Sequence, residues 1–547
     1  MDLSEAYREK VRDPRTWSGI GLDPFYGPKE RDQHYDRALS DPGEYPFTRG
    51  IHRDMYRGKL WTRREVCGLS TPADTNRWLH FQIAEGVSGL DVIVDVPAIL
   101  CVDADHPLAA ADVGVNGVHS CSLRDMQTLM EGIPIEQVSM SLIASSLTAG
   151  TFLAQYIALA EGRGLDPSLL RGSIQNDPVH MRFCGAGPAV PLDLAVKMGA
   201  DVIEYCVRNL PSWNPTTVNL YDLREQGLSA AQEVAFGFST AFLYVEELRQ
   251  RGLSIDDFAP RLAFYCSAHI DFFEEIAKLR AARRLWARTM RERYGAQDPR
   301  SWRFRFAVHT AGSSLFPQQP LNNVMRVAYE ALAAVLGGVQ SLHCCSYDEP
   351  IALPSRQAQT LAIRTQQILA YETGVAGVAD PLGGSYYVEW LTDRLEEEAV
   401  SILRKIEEMG GMAEAVRNGW VDREIEQAAL EEQKRIESGE RLVVGVNAFQ
   451  SEELEASTPG GLLRISAEAV QAYIDSVARL RRERDNAAVQ GAIQHLRAEA
   501  GRGPHHNLMP AVIQATKALA THGEILGTIR QVYGYGYDPL GLLESQF

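Results

Sequence analysis

Ten polar residues stand where runs of β-forming residues break off: Asp95, Gln175, Asn176, Asp177, Asp222, Glu225, His309, His343, Asp348 and Glu349. A glutamine amide or a histidine ring in such a place can hydrogen-bond a carbonyl oxygen as charge builds on it. Asp95 and Asp348 serve equally well as turn or cap residues. The fullest cluster is Ser173-Ile-Gln-Asn-Asp177, followed by Pro178 and the glycine-rich Cys184-Gly-Ala-Gly-Pro188. A second chemical signal lies earlier. Arg53, Arg57, Lys59, Arg63 and Arg64 interleave with Tyr56 and Trp61. Guanidinium, ammonium and aromatic groups together suit a phosphate-bearing ligand with a base to stack on, or form a solvated basic loop. No HExxH, paired CxxC, P-loop or GxSxG is present, and His505-His506 reads as exposed loop.

The elements that must position these groups alternate between residues 90 and 347. Runs at 90–97, 117–121, 138–144, 170–175, 217–221, 262–266, 304–309 and 340–343 read as strands. Helical patterns lie between them, such as Val234, Phe238, Phe242 and Val245 at spacings of three and four. Strand after strand followed by helix predicts an α/β (β/α)8 TIM barrel, whose chemistry collects at the carboxyl ends of its strands. No GxGxxG follows the first strand, against a dinucleotide fold. Small or polar residues alternate along several strands: Ser139, Ser141 and Ser145; Ala263 and Ser267; Ser341, His343 and Cys345. Facing inward, they would leave room for a thin polar ligand chain along the axis; facing outward, they would pack under the helices. We expect residues 1–45 to form an extended arm, 46–375 the barrel and 376–547 a mainly helical extension. That extension is expected to hold a helix over 391–440 broken at Gly410-Gly411, a short strand at 443–447 and one long helix over 464–502.

The 547 residues carry a formal net charge of -17, with 45% hydrophobic and 23% charged residues. Such acidity excludes non-specific nucleic-acid binding, which needs basic surface. Eight cysteines without a CxxC pair fit reduced intracellular thiols. No signal-like segment or long apolar run is present, so we expect a cytoplasmic protein without a membrane span.

Several motifs run collinearly: Tyr45-Pro-Phe-Thr-Arg-Gly50, Met55-Tyr-Arg-Gly-Lys-Leu-Trp-Thr62, Asp103-Ala-Asp-His-Pro-Leu108, Ile174-Gln-Asn-Asp177, Gln340-Ser-Leu-His343, Asp348-Glu349 and Asp380-Pro-Leu-Gly-Gly-Ser-Tyr-Tyr387. With them the chain resembles the large, substrate-binding subunit of adenosylcobalamin-dependent acyl-CoA mutases, the methylmalonyl-CoA mutase family, over about residues 44–540. The resemblance implies a barrel threaded by the pantetheine chain of coenzyme A and a radical 1,2-rearrangement of its acyl group. It sets Lys59, Thr62, Arg64 and Arg261 at the phosphate end, Ser141 along the substrate, and Glu225, Gln340 and Glu349 toward the adenosylcobalamin cofactor. The family's cobalt-ligating Asp-x-His-x-x-Gly loop is missing from this sequence. The implied partner is therefore a separate small cobalamin-binding subunit that supplies the cobalt ligand, in an α2β2 hetero-oligomer. A GTPase reactivation chaperone is a further expected partner.

The departures from the family pattern bear on specificity. Where the methylmalonyl enzymes hold the substrate carboxylate with a tyrosine and an arginine, this chain has Val66 and Gly185. Loss of such a charge-assisted pair costs on the order of 2–5 kcal/mol. The resemblance thus implies a carboxylate-free, branched acyl-CoA such as isobutyryl-, pivalyl- or 2-hydroxyisobutyryl-CoA. Ile93 stands where 2-hydroxyisobutyryl enzymes place an aspartate for the hydroxyl. Asp222 replaces a histidine that bonds the thioester carbonyl, Gln175 is retained, and His309 replaces a glutamine and could take over part of that role. The alternative is a non-catalytic structural subunit of a mutase heterodimer.

Overall fold

A computed structural model of the chain describes residues 23–28, 32, 35–183, 191–450 and 463–545. Nine parallel strands make one sheet: β1 (Thr62–Arg64), β2 (Val66–Cys67), β3 (Leu90–Ile93), β4 (Ser139–Ile143), β5 (Arg171–Gln175), β6 (Trp213–Asn219), β7 (Leu262–Ala268), β8 (Arg305–Thr310) and β9 (Ser341–His343). Their order is β1-β9-β8-β7-β6-β5-β4-β3-β2. The two strands at the ends of that order are separated in the chain by Glu65 alone. They are halves of one barrel strand, so the sheet is a nearly closed (β/α)8-type barrel, as expected.

The first barrel strand is thus the basic run at 62–67, not the segment at 90. The expected strand at 117–121 does not form; Val118 makes one isolated bridge to Val94. The reason is edge occupancy: β3 is already paired with β2 on one side and β4 on the other. A Cβ at Gly117 would fall 2.4 Å from the Val94 carbonyl carbon, so only glycine passes this close. β6 lies earlier than expected, and Tyr221 opens the short helix Tyr221–Glu225.

By compactness the chain divides into two units. The first holds the described parts of Met1–Glu65, with Leu220–Ser239 and Ala263–Leu463; the second holds Val66–Asn219, Thr240–Leu262 and Arg464–Phe547. In the first, the charged C-terminal stretch forms helices Tyr386–Glu408, Met412–Arg417 and Trp420–Glu437. The expected strand at 443–447 is instead a turn, closed by the Asn447 side chain on Val443 N, Ile436 O and Arg441 O. In the second unit the long helix expected over 464–502 is two, Ala467–Glu483 and Asn486–Ala500. Asp485 caps the second by accepting from Ala487 N and Ala488 N. Arg484 turns inward to a buried two-pronged pair with Glu524, at 2.8 and 2.6 Å. No helix among the described residues is long and apolar enough to cross a membrane.

Candidate active site

In the first unit, side-chain packing fixes which face of each strand points inward. Phe264 of β7 packs on Phe238 and Trp286 of the covering helices, and Phe306 of β8 stacks on Phe304. These residues face outward, so their neighbours Ala263, Tyr265 and Ser267, and Ala307 and His309, face inward. Leu342 is sealed while Ser341 and His343 keep partial accessibility. In register, Thr62, Ser341 and Ala307 form one inner layer with Tyr265. Three of those four side chains are small. β4, in the second unit, shows the same alternation: Ser139 and Ser141 are partly accessible, Met140 and Leu142 fully buried. Of the two readings left open by the sequence the inward one holds for these strands, and three of the small residues are buried by local bonds. Ser145 caps helix Ser146–Gly162, the Ser267 hydroxyl meets Glu225, and the Cys345 thiol donates to Thr310 O.

The next inner layer carries the histidines. His309 and His343 lie ring against ring, with centroids 3.9 Å apart. Tyr265 and Tyr221 present themselves to His309 at 4.4 and 4.7 Å. His343 Nδ1 is 3.2 Å from Glu65 Oε2. Gln366 donates to Glu65 Oε1 at 3.1 Å and accepts from Trp61. Glu65 is thus the residue between the two half-strands and the anchor of His343. Burial raises its carboxyl above the usual range, and the His343 ring opposes that rise. Burial and then the His343 ring hold His309 well below the ordinary imidazole range, so it is neutral.

Above these strands, Glu225 Oε2 accepts from Ser313 N at 2.6 Å. Burial is the main force pushing Glu225 up to about 7; Ser313 opposes it, and the Glu349 and Asp222 carboxylates add to the rise. Glu349 is likewise raised by burial. Between them the backbone at Gly312 leaves a cradle: a Cβ there would fall 2.9 Å from Glu349 Oε1 and 3.4 Å from Glu225 Oε2. Both acids around this gap are raised by burial, and a protonated carboxyl can donate as well as accept, so the pair can bond vicinal hydroxyls. Asp222 sits half-buried beside them in Tyr221–Glu225, its carbonyl accepting from Gln226. Gln340 lies at the other end of β9, where its amide binds Phe306 N and Gly338 O. At that amino end Lys59 is exposed, and Arg64 donates to Ser341 Oγ at 3.1 Å. Burial lowers the His52 pKa, and the charges of Arg303, Arg305 and Lys59 lower it further, which marks a local basic field.

In the second unit the Gln-Asn-Asp motif divides its labour. Asn176 donates to Gly199 O and Pro215 O and accepts from Tyr244. Asp177 accepts from Val179 N, His180 N and Asn219 N. Both residues hold the loop. Gln175 alone meets a side chain: its amide nitrogen lies 2.6 Å from His180 Nε2. An amide nitrogen only donates, so the imidazole accepts there and turns Nδ1 toward Asp177 Oδ1 at 3.5 Å. Asp95 is a cap and anchor, accepting from Ala98 N and meeting His119 at 2.8 Å. Val66 and Ile93 keep partial accessibility on β2 and β3. The Arg261 guanidinium donates to Cys206 O and Leu210 O at the end of helix Leu192–Asn209. Gly185 lies outside the described residues. Sequence reasoning missed Tyr265, Glu65 and His180. The strand alternation that exposed the small residues also points Tyr265 inward, once Phe264 is assigned to the helix-covered face.

The sequence profile described as methylmalonyl-CoA mutase matches residues 15–535. The chain is 40% identical over 502 residues to the 2-hydroxyisobutanoyl-CoA mutase large subunit of Aquincola tertiaricarbonis, covering 91% of this chain and 89% of that one. It is 39% identical to the methylmalonyl-CoA mutase of Cereibacter sphaeroides, covering 96% and 74%. Against the human mitochondrial methylmalonyl-CoA mutase it is 35% identical, covering 95% and 68%. The chain therefore belongs to the methylmalonyl-CoA mutase family, whose members are B12-dependent isomerases.

Proposed function

We propose that this chain is the large subunit of an acyl-CoA mutase that catalyses a 1,2-rearrangement of a carboxylate-free, branched acyl-CoA, together with a separate cobalamin-binding subunit. The observation that carries the reading is the 40% identity, across nine-tenths of both chains, to a relative named as a large subunit of this kind. The apolar Val66 and Ile93, and the neutral state of His309, support a substrate without a free carboxylate. Lys59, Thr62, Arg64 and Arg261 are proposed for the phosphate end of coenzyme A, and Ser141 for its thin chain.

Adenosylcobalamin, when bound, supplies the radical chemistry of the rearrangement. Glu225 and Glu349 would hold its adenosyl group; Gln340, which the resemblance also sets toward the cofactor, is engaged at the amino end of β9 by Phe306 N and Gly338 O. Gln175 donates its amide proton to the thioester oxygen while His180 holds the amide in place. His309 stays uncharged, and Asp222 lies on the short helix that presents Glu225. The buried strand interior keeps water from the reacting carbons. The same reading includes a cytoplasmic α2β2 assembly and a GTPase reactivation chaperone, on the strength of the family resemblance.

The test is reconstitution with a small cobalamin subunit and adenosylcobalamin, followed by mass spectrometry over isobutyryl-, pivalyl-, 2-hydroxyisobutyryl- and methylmalonyl-CoA. Isomerised product from a carboxylate-free member is expected. Efficient turnover of methylmalonyl-CoA would refute the specificity assigned to Val66, and coenzyme A binding with no product from any member would favour a structural subunit.

A further inference from the structure

Four rings meet in the first unit around His309, and they differ in how their polar atoms are engaged. Tyr221 OH meets Gly312 N at 3.4 Å. His343 is anchored on Glu65. Tyr265 OH and His309 Nε2 have no hydrogen-bond partner among the described residues. Both residues are more than nine-tenths buried, at 8% and 9% exposure. Their rings stand edge to face, 4.4 Å apart at 63°, on the inner faces of adjacent strands. Buried hydroxyls and imidazoles are almost always satisfied, because leaving one unmet costs about 1–3 kcal/mol. Two unmet groups side by side, next to the small Ala307 and Ser341, ask for a ligand atom that can bond both.

Resting on the mutase reading above, we propose that Tyr265 and His309 form a binding pair for a neutral oxygen on the acyl group, a hydroxyl or an oxo oxygen, so that the preferred thioester carries one. A plain alkyl group in this place would leave both protein groups unpaired. A carboxylate is disfavoured because neutral His309 brings no charge to meet it. A hydroxyl can accept from Tyr265 OH and donate to the imidazole; an oxo oxygen accepts from both. The assignment makes Tyr265 a specificity-determining residue and places oxygen recognition on β7 and β8.

The experiment measures binding of matched thioesters to the full chain assembled with its small subunit and cobalamin: isobutyryl- against 2-hydroxyisobutyryl-CoA, and butyryl- against acetoacetyl-CoA. One oxygenated member is expected to bind about tenfold tighter than its alkyl match, the gain of one or two buried hydrogen bonds. The pair that shows it separates hydroxyl from oxo recognition. Tyr265→Phe should erase that preference while leaving alkyl binding intact or improved. His309→Phe should act in the same direction, with a melting curve confirming that each variant folds. Equal affinity within both pairs would overturn the proposal. Equal weakening of every thioester by Tyr265→Phe would also overturn it, because the pair would then serve the thioester carbonyl. Failure of coenzyme A and all its thioesters to bind would bring down the mutase reading itself and this inference with it.

Discussion

Two residues apart on β7, the protein treats buried polarity in opposite ways. At Ser267 the backbone is enclosed by a complete ionic network: Glu233 accepts from Ser267 N at 2.9 Å, and Lys278 donates to Ser267 O at 2.8 Å. Lys278 also meets Glu233 at 2.6 Å and pairs with Glu275, and Arg224 stands 3.3 Å from Glu275. Each charge has an opposite neighbour, which is what allows charges to be buried at all. At Tyr265, facing inward, the hydroxyl and the adjacent His309 nitrogen have no partner among the described residues. The first arrangement locks the strand end, and the second leaves hydrogen-bonding capacity open on the inner face. Chemical content alone does not tell the two apart; satisfaction does.

The largest break in that contrast comes from the closed network. Lys278→Met removes the cation that bonds both Glu233 and Glu275, leaving Arg224 at longer range, and should destabilise the fold by about 3–5 kcal/mol, read as a large fall in melting temperature and soluble yield. Asp177→Ala removes the acceptor for three backbone N–H groups in the second unit. We expect a loss on the order of 3 kcal/mol, smaller than that of Lys278→Met. Glu225→Gln gives a pH signature instead of a uniform loss. Its folded carboxyl titrates near 7 against an ordinary 4.5. The native state then binds the proton more tightly than the unfolded chain does, so stability falls as pH rises across that window. The variant should flatten this part of the melting-temperature profile, and an unchanged profile would show that Glu225 does not titrate there. Tyr265→Phe sits at the small end, within about 0.5 kcal/mol of wild type and in either direction, because no native bond is lost. A loss as large as that of Asp177→Ala would mean that the hydroxyl is structurally engaged, against the open end of the comparison.

Much of the architecture was legible beforehand, for local reasons. The (β/α)8 class followed from strand-helix alternation; the period of two set Ser139, Ser141, Ala263 and Ser341 on one face of their strands, and packing decided that this face is the inner one. The failures share one cause. Residues 117–121 have strand composition, but pairing needs a free neighbouring edge, and β3 had none. Residues 62–67 look like a charged loop, yet β9 and β3 supply edges for them. At 443–447 the Asn447 side chain competes with strand pairing and wins locally.

The sequence by itself determined the kind of protein, through its family motifs and its strand-helix rhythm. Tertiary structure alone decided which polar residues are tied down. Asn176 and Asp177 stand in the most conspicuous motif of the chain and are consumed in holding a loop. Glu65 reads as one more charge in a basic run and anchors His343. Tyr265 carries no motif, and its hydroxyl has no partner among the described residues. The reason is physical. Residue type fixes what a group can donate or accept, but whether that capacity is already used depends on atoms brought beside it from elsewhere in the chain.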